Sequence, residues 1–295
     1  MKCYKPISIK VEKLNKRIMV RCGKCLACRE EIAKEYTLRF IQDSTDYKYL
    51  YFMTLTYRDE NVPYNAKGYL TLKKDDITKY LKTININVKR KNLGNYIYFI
   101  GGEYGDITMR PHYHCVLACD NQKIAQLFME KWFAGNMQFD EASIQSVYYT
   151  IGYSQKKIKD NDYYYELNEL EKPFRKFSRG LGKKYIEKNK YQLAEKYYAN
   201  IGKEKIGLPK YYKDYLKNNE LVNIDKLTKL AEENNQKLRK WYAKEYNLED
   251  EIIYSMDGSY DRLENNIDEK IKDMLIQRKK NIEAKYNYKK NRELK

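Results

Sequence analysis

Apolar and polar positions change period along this chain, and the changes mark its elements. From about Arg29 to Ile41, Ile32, Tyr36 and Phe40 recur at helical spacing, with Arg29, Lys34 and Arg39 on the polar side. Tyr51 to Tyr57 reads as a strand of aromatic and β-branched residues. Phe52, Thr54 and Thr56 share one of its faces; Met53, Leu55 and Tyr57 share the other. After a turn near Pro63, Ile77, Tyr80, Leu81, Ile84 and Val88 form one helical stripe. Asp75 or Asp76 is its expected cap, and Gly94 ends or follows it. Tyr96 to Ile100 is a second strand, left through the glycine-punctuated run Gly101-Gly102-Glu103-Tyr104-Gly105. His112 to Cys119 is a third. A helix over residues 121–133 carries Ile124, Leu127, Phe128 and Trp132 and stops at Gly135. A short strand near Met137 to Phe139 and a helix near Ser146 to Ile158 follow.

This order predicts an α+β fold, an antiparallel sheet flanked by helices. Residues 1–28 are strand-like and basic and end in a cysteine cluster. Beyond about residue 190 the sequence turns charged and helix-forming, notably from Ile224 to Tyr246 and from Ile267 onward. The expected organisation is an N-terminal cysteine-cluster segment and helix (1–45), a core (46–190) and a charged, mainly helical C-terminal region (191–295). No repeat is visible.

Composition narrows the partners. The 295 residues hold 58 Lys+Arg against 41 Asp+Glu, a net charge of +17. Such a field favours polyanions, nucleic acid first and an anionic membrane surface second. Abundant Lys, Asn, Ile and Tyr also suit an A/T-rich genome, so part of the charge is codon bias. No apolar run approaches the roughly 20 residues that span a bilayer. Met1-Lys2-Cys3-Tyr4-Lys5 leads into no apolar signal core, which points to the cytoplasm. In that compartment cysteines serve as thiols or metal ligands rather than disulfides.

The chemistry gathers in four places. The only two histidines, His112 and His114, stand two apart. Chance gives that spacing roughly once in 150 chains. On a strand both imidazoles share a face, with Tyr113 on the other. Two imidazoles and a carboxylate make a mixed N/O site suited to Mn²⁺ or Mg²⁺. Glu103 is the expected third ligand and Asp106 its substitute. The bland alternative is two polar residues on a half-exposed strand. Second, Tyr149 and Tyr153 lie one helical turn apart, before Lys156 and Lys157, which are suited to stabilising a phenolate. With 32 tyrosines, about three such pairs arise by chance, so position rather than spacing gives this one weight. Third, Cys22, Cys25 and Cys28 have C-x₂-C-x₂-C spacing, and Cys3 is available as a fourth ligand for structural Zn²⁺. Unligated buried thiols are the alternative. Cys115 and Cys119 alternate away from the histidines and read as packing residues. Fourth, the run from Phe177 to Tyr185 sets glycines among cations that suit phosphates or a solvated turn.

In order, these segments resemble the replication initiators of small single-stranded DNA phages, the gokushovirus-like microviruses, within the HUH endonuclease superfamily. The matching runs are Cys22-Gly23-Lys24-Cys25 with Cys28, Phe52 to Tyr57, Gly102 to Gly105 and Arg110 to His114. Tyr149 to Lys157, Ser178 to Gly182 and Leu208 to Tyr212 complete the series. They cover roughly residues 20–215; the charged C-terminal region matches no motif. The resemblance implies an RRM/ferredoxin-like sheet with the histidines on a central strand. It implies metal binding by His112 and His114, and attack by Tyr149 or Tyr153 on origin DNA. A 5′-phosphotyrosine link and a 3′-hydroxyl primer for rolling-circle replication follow, then rejoining by the second tyrosine. Lys156 or Lys157 steadies the phosphate charge; Thr54, Thr56, Arg110, Ser178, Arg179 and Lys183 are the residues expected on DNA. Single-stranded origin DNA, a host helicase and a host polymerase are the implied partners, with no membrane, in the bacterial cytoplasm. Two readings compete: a plasmid initiator, relaxase or transposase with the same chemistry, and a zinc-stabilised, non-catalytic nucleic-acid-binding protein.

Overall fold

The structure, a computed structural model, describes Cys3, residues 7–11, 16–156, 162–202 and 204–222, and a few positions between 233 and 284. The expected helices over 224–246 and from 267 onward lie mostly outside the described residues. The chain divides into two compact units, Met1–Glu31 with Val222–Lys295, and Ile32–Leu221. In the first unit, β1 (Ile7–Val11) and β2 (Lys16–Val20) form an antiparallel hairpin. The cysteine cluster follows, and then the start of α1 (Leu26–Ser44).

The second unit is built on a five-stranded antiparallel sheet. In chain order its elements are β3 (Tyr49–Thr56), α2 (Lys74–Arg90), β4 (Tyr96–Tyr104), β5 (Pro111–Cys119), α3 (Gln122–Glu130), β6 (Met137–Glu141), α4 (Ile144–Lys156), α5 (Asp162–Leu167) and β7 (Phe174–Phe177). The strand order β6-β3-β5-β4-β7 is a split βαβ, ferredoxin-like core with β7 added at one edge. Beyond it come α6 (Lys183–Lys196), the hairpin β8 (Tyr198–Ile201) and β9 (Glu204–Gly207), and α7 (Lys210–Asn218).

Alternation sorts the strand residues between two layers. Met53, Leu55, Tyr113, Cys115, Leu117 and Cys119 point into a core closed by Ile77, Tyr80 and Ile84 of α2 and Ile124 and Phe128 of α3. Each such large apolar side chain contributes roughly 1.5–3 kcal/mol on leaving water. Cys115 and Cys119 are packing residues of this layer. The opposite face packs Ile97, Phe99, Val116 and Ala118 against Phe40 of α1 and Val147 and Ile151 of α4.

Several details differ from the pattern-based reading. The cap position of α2 is Lys73, without a side-chain cap; Asp75 and Asp76 sit in the first turn. Asp76 instead accepts a hydrogen bond from the buried Tyr57 hydroxyl at 3.0 Å. Trp132 lies past the end of α3 and donates its indole N–H to the Thr56 carbonyl at 2.9 Å. The run Gly101 to Tyr104 is not an exit loop but the last half of β4. Gly102 belongs in a strand because a Cβ there would stand 2.9 Å from Phe174 Cε1. The β8–β9 hairpin falls within the stretch read as helical.

Candidate active site

Extending β4 to Tyr104 changes the setting of Glu103. The register of β4 on β5 places Glu103 opposite His112, and that of β3 on β5 places Thr56 opposite His112 and Thr54 opposite His114. All five residues point to the face that α1 and α4 cover only over the Phe99 and Ala118 end. There Glu103 Oε1 stands 3.0 Å from His112 Nε2 and 2.9 Å from His114 Nε2. The carboxylate is buried, while both imidazoles remain partly exposed. Three donor atoms, one per residue, lie within 4.8 Å of one another. Asp106 lies past β4 in an exposed turn and takes no part in the trio.

The hydrogen bonds around the imidazoles define their protonation. His112 Nδ1 is 3.2 Å from the Arg110 carbonyl, which can only accept, so Nδ1 carries the hydrogen. In the neutral ring the Nε2 lone pair then faces a carboxylate oxygen at 3.0 Å. Two acceptors that close repel each other unless a positive charge lies between them. His114 Nδ1 is 3.1 Å from Thr54 Oγ1, which leaves its Nε2 turned to the same oxygen. The trio is therefore arranged to hold a cation. Two imidazole nitrogens and one carboxylate fit a divalent ion such as Mn²⁺, and Mg²⁺ where water and phosphate oxygens complete the shell.

The tyrosine helix sits beside this trio. Val147 and Ile151 bury one side of α4 against the sheet. Tyr149 is half exposed, and its ring centroid lies 6.5 Å from that of His114, edge to face at 73°. Tyr153 and Lys156 belong to the same helix, but their side chains lie outside the described residues, as does Lys157 altogether. Tyr149 contrasts with the tyrosines of the core. Tyr57 and Tyr113, joined hydroxyl to hydroxyl at 2.7 Å, are buried under the opposite face. Burial pushes both phenols up, holding them protonated. Tyr113, although between the two histidines, faces away from them.

The residues expected on DNA spread around the trio and beyond it. Thr54 is engaged with His114; Thr56 Oγ1 donates to the Asn136 carbonyl at 3.2 Å. Arg110 donates to the Tyr57 carbonyl at 2.8 Å and pairs with Asp59 at 2.7 Å. Ser178 closes β7 onto β4, its hydroxyl accepting from the Tyr98 N–H at 2.9 Å. Arg179 is exposed, and Lys183 at the start of α6 faces Glu187 at 3.5 Å. The intervening turn is held from α1. Arg39 donates twice to the Leu181 carbonyl, and Asp43 accepts the N–H groups of Gly182 and Tyr185.

One side chain near the trio has no counterpart in the pattern-based reading. The register runs Gln138, Thr54, His114, Gly101, Arg175 in one row across the sheet. Arg175 stacks its guanidinium over Tyr36 at 4.8 Å. Its strand, Phe174 to Phe177, is only four residues long and carries two cations, so strand periodicity does not reveal it. The brackets at Pro173 and Gly180 are the available signal.

In the first unit all four candidate ligands come together. Cys3, Cys22, Cys25 and Cys28 have sulfur atoms within 4.8 Å of one another. Burial works to raise the Cys22 thiol, yet hydrogen bonds from the N–H groups of Cys25 and Lys24 bring it down to about 7.

A family model for the replication-associated protein ORF2 matches residues 50–161, the stretch from β3 through α4 that carries the trio and the tyrosine helix. The chain is 30% identical over 213 residues to the replication-associated protein ORF2 of Spiroplasma virus 4, covering 65% of this chain and 66% of that one. It is 28% identical over 223 residues to the replication-associated protein VP4 of Bdellovibrio phage phiMH2K, covering 67% of each. Similarity to the replication-associated protein ORF4 of Chlamydia phage 1 is 24% over 227 residues, or 69% of this chain and 54% of that one. The chain thus spans about two thirds of the length of two of these relatives and about half of the third. No solved structure matches it. From the matched core and these phage relatives, the chain belongs to the ORF2 family of replication-associated proteins.

Proposed function

We propose that this protein initiates rolling-circle replication of a small single-stranded DNA phage by nicking its origin through a tyrosine. The observation that carries the reading is the placement of the Tyr149 ring 6.5 Å from His114, on the face where Glu103, His112 and His114 converge. Residues of that trio would hold a divalent ion, Mn²⁺ or Mg²⁺. Such an ion, when bound, supplies charge that polarises a phosphate oxygen. Glu103 fixes both imidazoles from a buried position, while their exposed edges leave the approach to DNA. The phenol oxygen of Tyr149 or Tyr153 attacks the scissile phosphorus and gives its proton to solvent. A phosphotyrosine bond to the 5′ side forms as the bond to O3′ breaks, and the departing 3′-oxygen takes a proton and becomes the primer end. Lys156 and Lys157 offset the charge on the phosphate. The second tyrosine attacks the regenerated junction after one circuit, and the freed 3′-hydroxyl rejoins the displaced strand. Thr56, Arg110, Arg179 and Lys183 contact the nucleic acid around the site. The same reading implies a host helicase and polymerase as partners in the bacterial cytoplasm. Among the described residues no helix is long and apolar enough to cross a membrane.

The test incubates the full chain with Mn²⁺ and single-stranded oligonucleotides tiling the genome that encodes it. One oligonucleotide yields a covalent adduct that survives denaturation. The adduct disappears in His112→Ala and in the double variant Tyr149→Phe/Tyr153→Phe. An adduct that persists in the double variant overturns the assignment of nucleophiles.

A further inference from the structure

The cysteine cluster has no part in the nicking chemistry, and its geometry is specific. Cys3 Sγ lies 3.6 Å from Cys22 Sγ and 3.7 Å from Cys25 Sγ, and Cys22 Sγ lies 3.9 Å from Cys28 Sγ. Four thiolates around one zinc ion at about 2.3 Å place their sulfur atoms about 3.8 Å apart, the edge of a tetrahedron. The backbone is shaped to the same end. Gly23 adopts a left-handed φ of 73° with open space around its Cα, so the tight turn there depends on conformation rather than room. That turn lets the Cys25 N–H donate to Cys22 Sγ at 3.3 Å, and the Cys22 N–H donates to Cys3 Sγ at 3.4 Å. N–H donors aimed at sulfur favour thiolate over thiol. Cys28 follows in the first turn of α1.

We propose that Cys3, Cys22, Cys25 and Cys28 hold one structural Zn²⁺ ion. All four ligands come from the protein, which leaves no open position for water or substrate and marks a structural rather than a catalytic site. Soft sulfur donors select against the Mg²⁺ or Mn²⁺ suited to the N/O trio. A cluster of several iron atoms would hold its cysteine sulfurs farther apart than 3.6–3.9 Å. Zinc with four thiolates carries a double negative charge, and Arg29, buried immediately after Cys28, offers a cation to offset it. Leu26, Ala27 and the half-buried Ile282 wall the cluster with apolar surface. The ion closes the 19-residue separation between Cys3 and Cys22 and ties that segment to the first turn of α1.

The full chain, purified under reducing conditions and treated with excess Mg²⁺ and dialysed, is expected to carry one zinc per molecule by elemental analysis. His112→Ala/His114→Ala keeps that zinc, which separates this site from the trio. Cys25→Ser/Cys28→Ser loses it. Should the cysteine variant fail to fold, the wild-type chain loaded with Co²⁺ decides. Intense visible bands with sulfur-to-cobalt charge transfer are expected for a tetrahedral thiolate site. A weak octahedral cobalt spectrum, bound iron in place of zinc, or a metal-free wild-type chain with four freely reactive thiols would each overturn the proposal.

Discussion

Thr54 Oγ1 lies 3.1 Å from His114 Nδ1, across a pair of directly opposed strand residues. His112 is held in the corresponding way by the Arg110 carbonyl. Both imidazoles are thereby turned so that Nε2 faces Glu103. A hydroxyl that fixes the far nitrogen of a metal-binding histidine acts on the metal through its ligand, and loss of such a partner typically costs 10- to 100-fold in affinity. Thr54→Ala is expected to weaken Mn²⁺ binding by about that factor, read by the electron paramagnetic resonance of free Mn²⁺. Thr54→Ser restores binding, and excess Mn²⁺ restores nicking by Thr54→Ala. Equal Mn²⁺ affinity in Thr54→Ala and wild type would remove Thr54 from this positioning role.

Glu103 is a case where function opposes stability. A buried carboxylate facing two imidazole nitrogens is costly without a cation, and an uncharged amide of the same shape can donate to one of them. Metal-free Glu103→Gln is expected to be more stable than metal-free wild type by about 1 kcal/mol, raising Tm by about 2–4 °C. Mn²⁺ then raises the Tm of wild type and leaves that of the variant unchanged. A variant that melts lower than wild type in chelator would show that the carboxylate is already satisfied without metal.

The histidine pair, the strands around it and both helical stripes of the Tyr113-side layer were legible because each has a clean period. His112 and His114 share a face by alternation alone, and Ile77 to Val88 share one by helical spacing. What escaped has physical reasons. Gly101 and Gly102 carry low strand propensity, yet Gly102 is required where Phe174 and Tyr113 crowd the backbone, so β4 continues to Glu103. Register between β4 and β5, a non-local property, is what brings Glu103 to His112. The roles of Arg39 and Asp43 depend on a turn more than 130 residues away, for which no local pattern exists.

Gly135 offers a direct check on how the rim of the site is built. The chain entering β6 runs against the end of β3, with Thr56 N–H bonded to Asn136 O at 2.9 Å and Arg58 N–H to Ala134 O at 3.1 Å. A Cβ at Gly135 would lie 2.1 Å from the Thr56 carbonyl oxygen and 2.6 Å from Arg58 N. Those are backbone atoms and cannot swing aside. Gly135→Ala is expected to cost roughly 3 kcal/mol or more through backbone displacement, and to weaken Mn²⁺ binding by shifting β3. A wild-type Tm for this variant would mean the two segments separate without penalty.

Asp43 ties α1 to the N-terminus of α6 by accepting the Gly182 N–H at 2.6 Å and the Tyr185 N–H at 3.0 Å. Asp43→Ala loses both and is expected to cost about 2 kcal/mol, lowering Tm by about 4–8 °C. Burial raises the Asp43 carboxyl above 3.8, although the Tyr185 and Gly182 amides work to lower it. A carboxyl raised in the folded state contributes most below its unfolded value, and that contribution fades as pH rises through the folded value. Asp43→Asn, which does not titrate, is therefore expected to gain stability relative to wild type as pH rises from below 3.8 through that window. Parallel pH profiles of urea unfolding for the two proteins would contradict this.

The row from His114 through Gly101 to Arg175 suggests where the DNA backbone lies. Gly101 has no side chain, so nothing from that row stands between the imidazole and the guanidinium two strands away. A phosphate at His114 would have its neighbour along the strand over Gly101, toward Arg175. Tyr36 holds the guanidinium by stacking at 4.8 Å, which reduces the entropy lost on gripping a phosphate. Removing one phosphate contact lowers the salt dependence of single-strand binding by about 0.7 in the log–log slope. Arg175→Ala is expected to show that change, with affinity at low salt reduced roughly tenfold and Mn²⁺ affinity intact. Arg175→Lys keeps the charge but not the planar stack, and is expected to retain the salt slope while recovering only part of the affinity. If Arg175→Ala binds single strands with the wild-type slope, the strand leaves the site by another edge of the sheet.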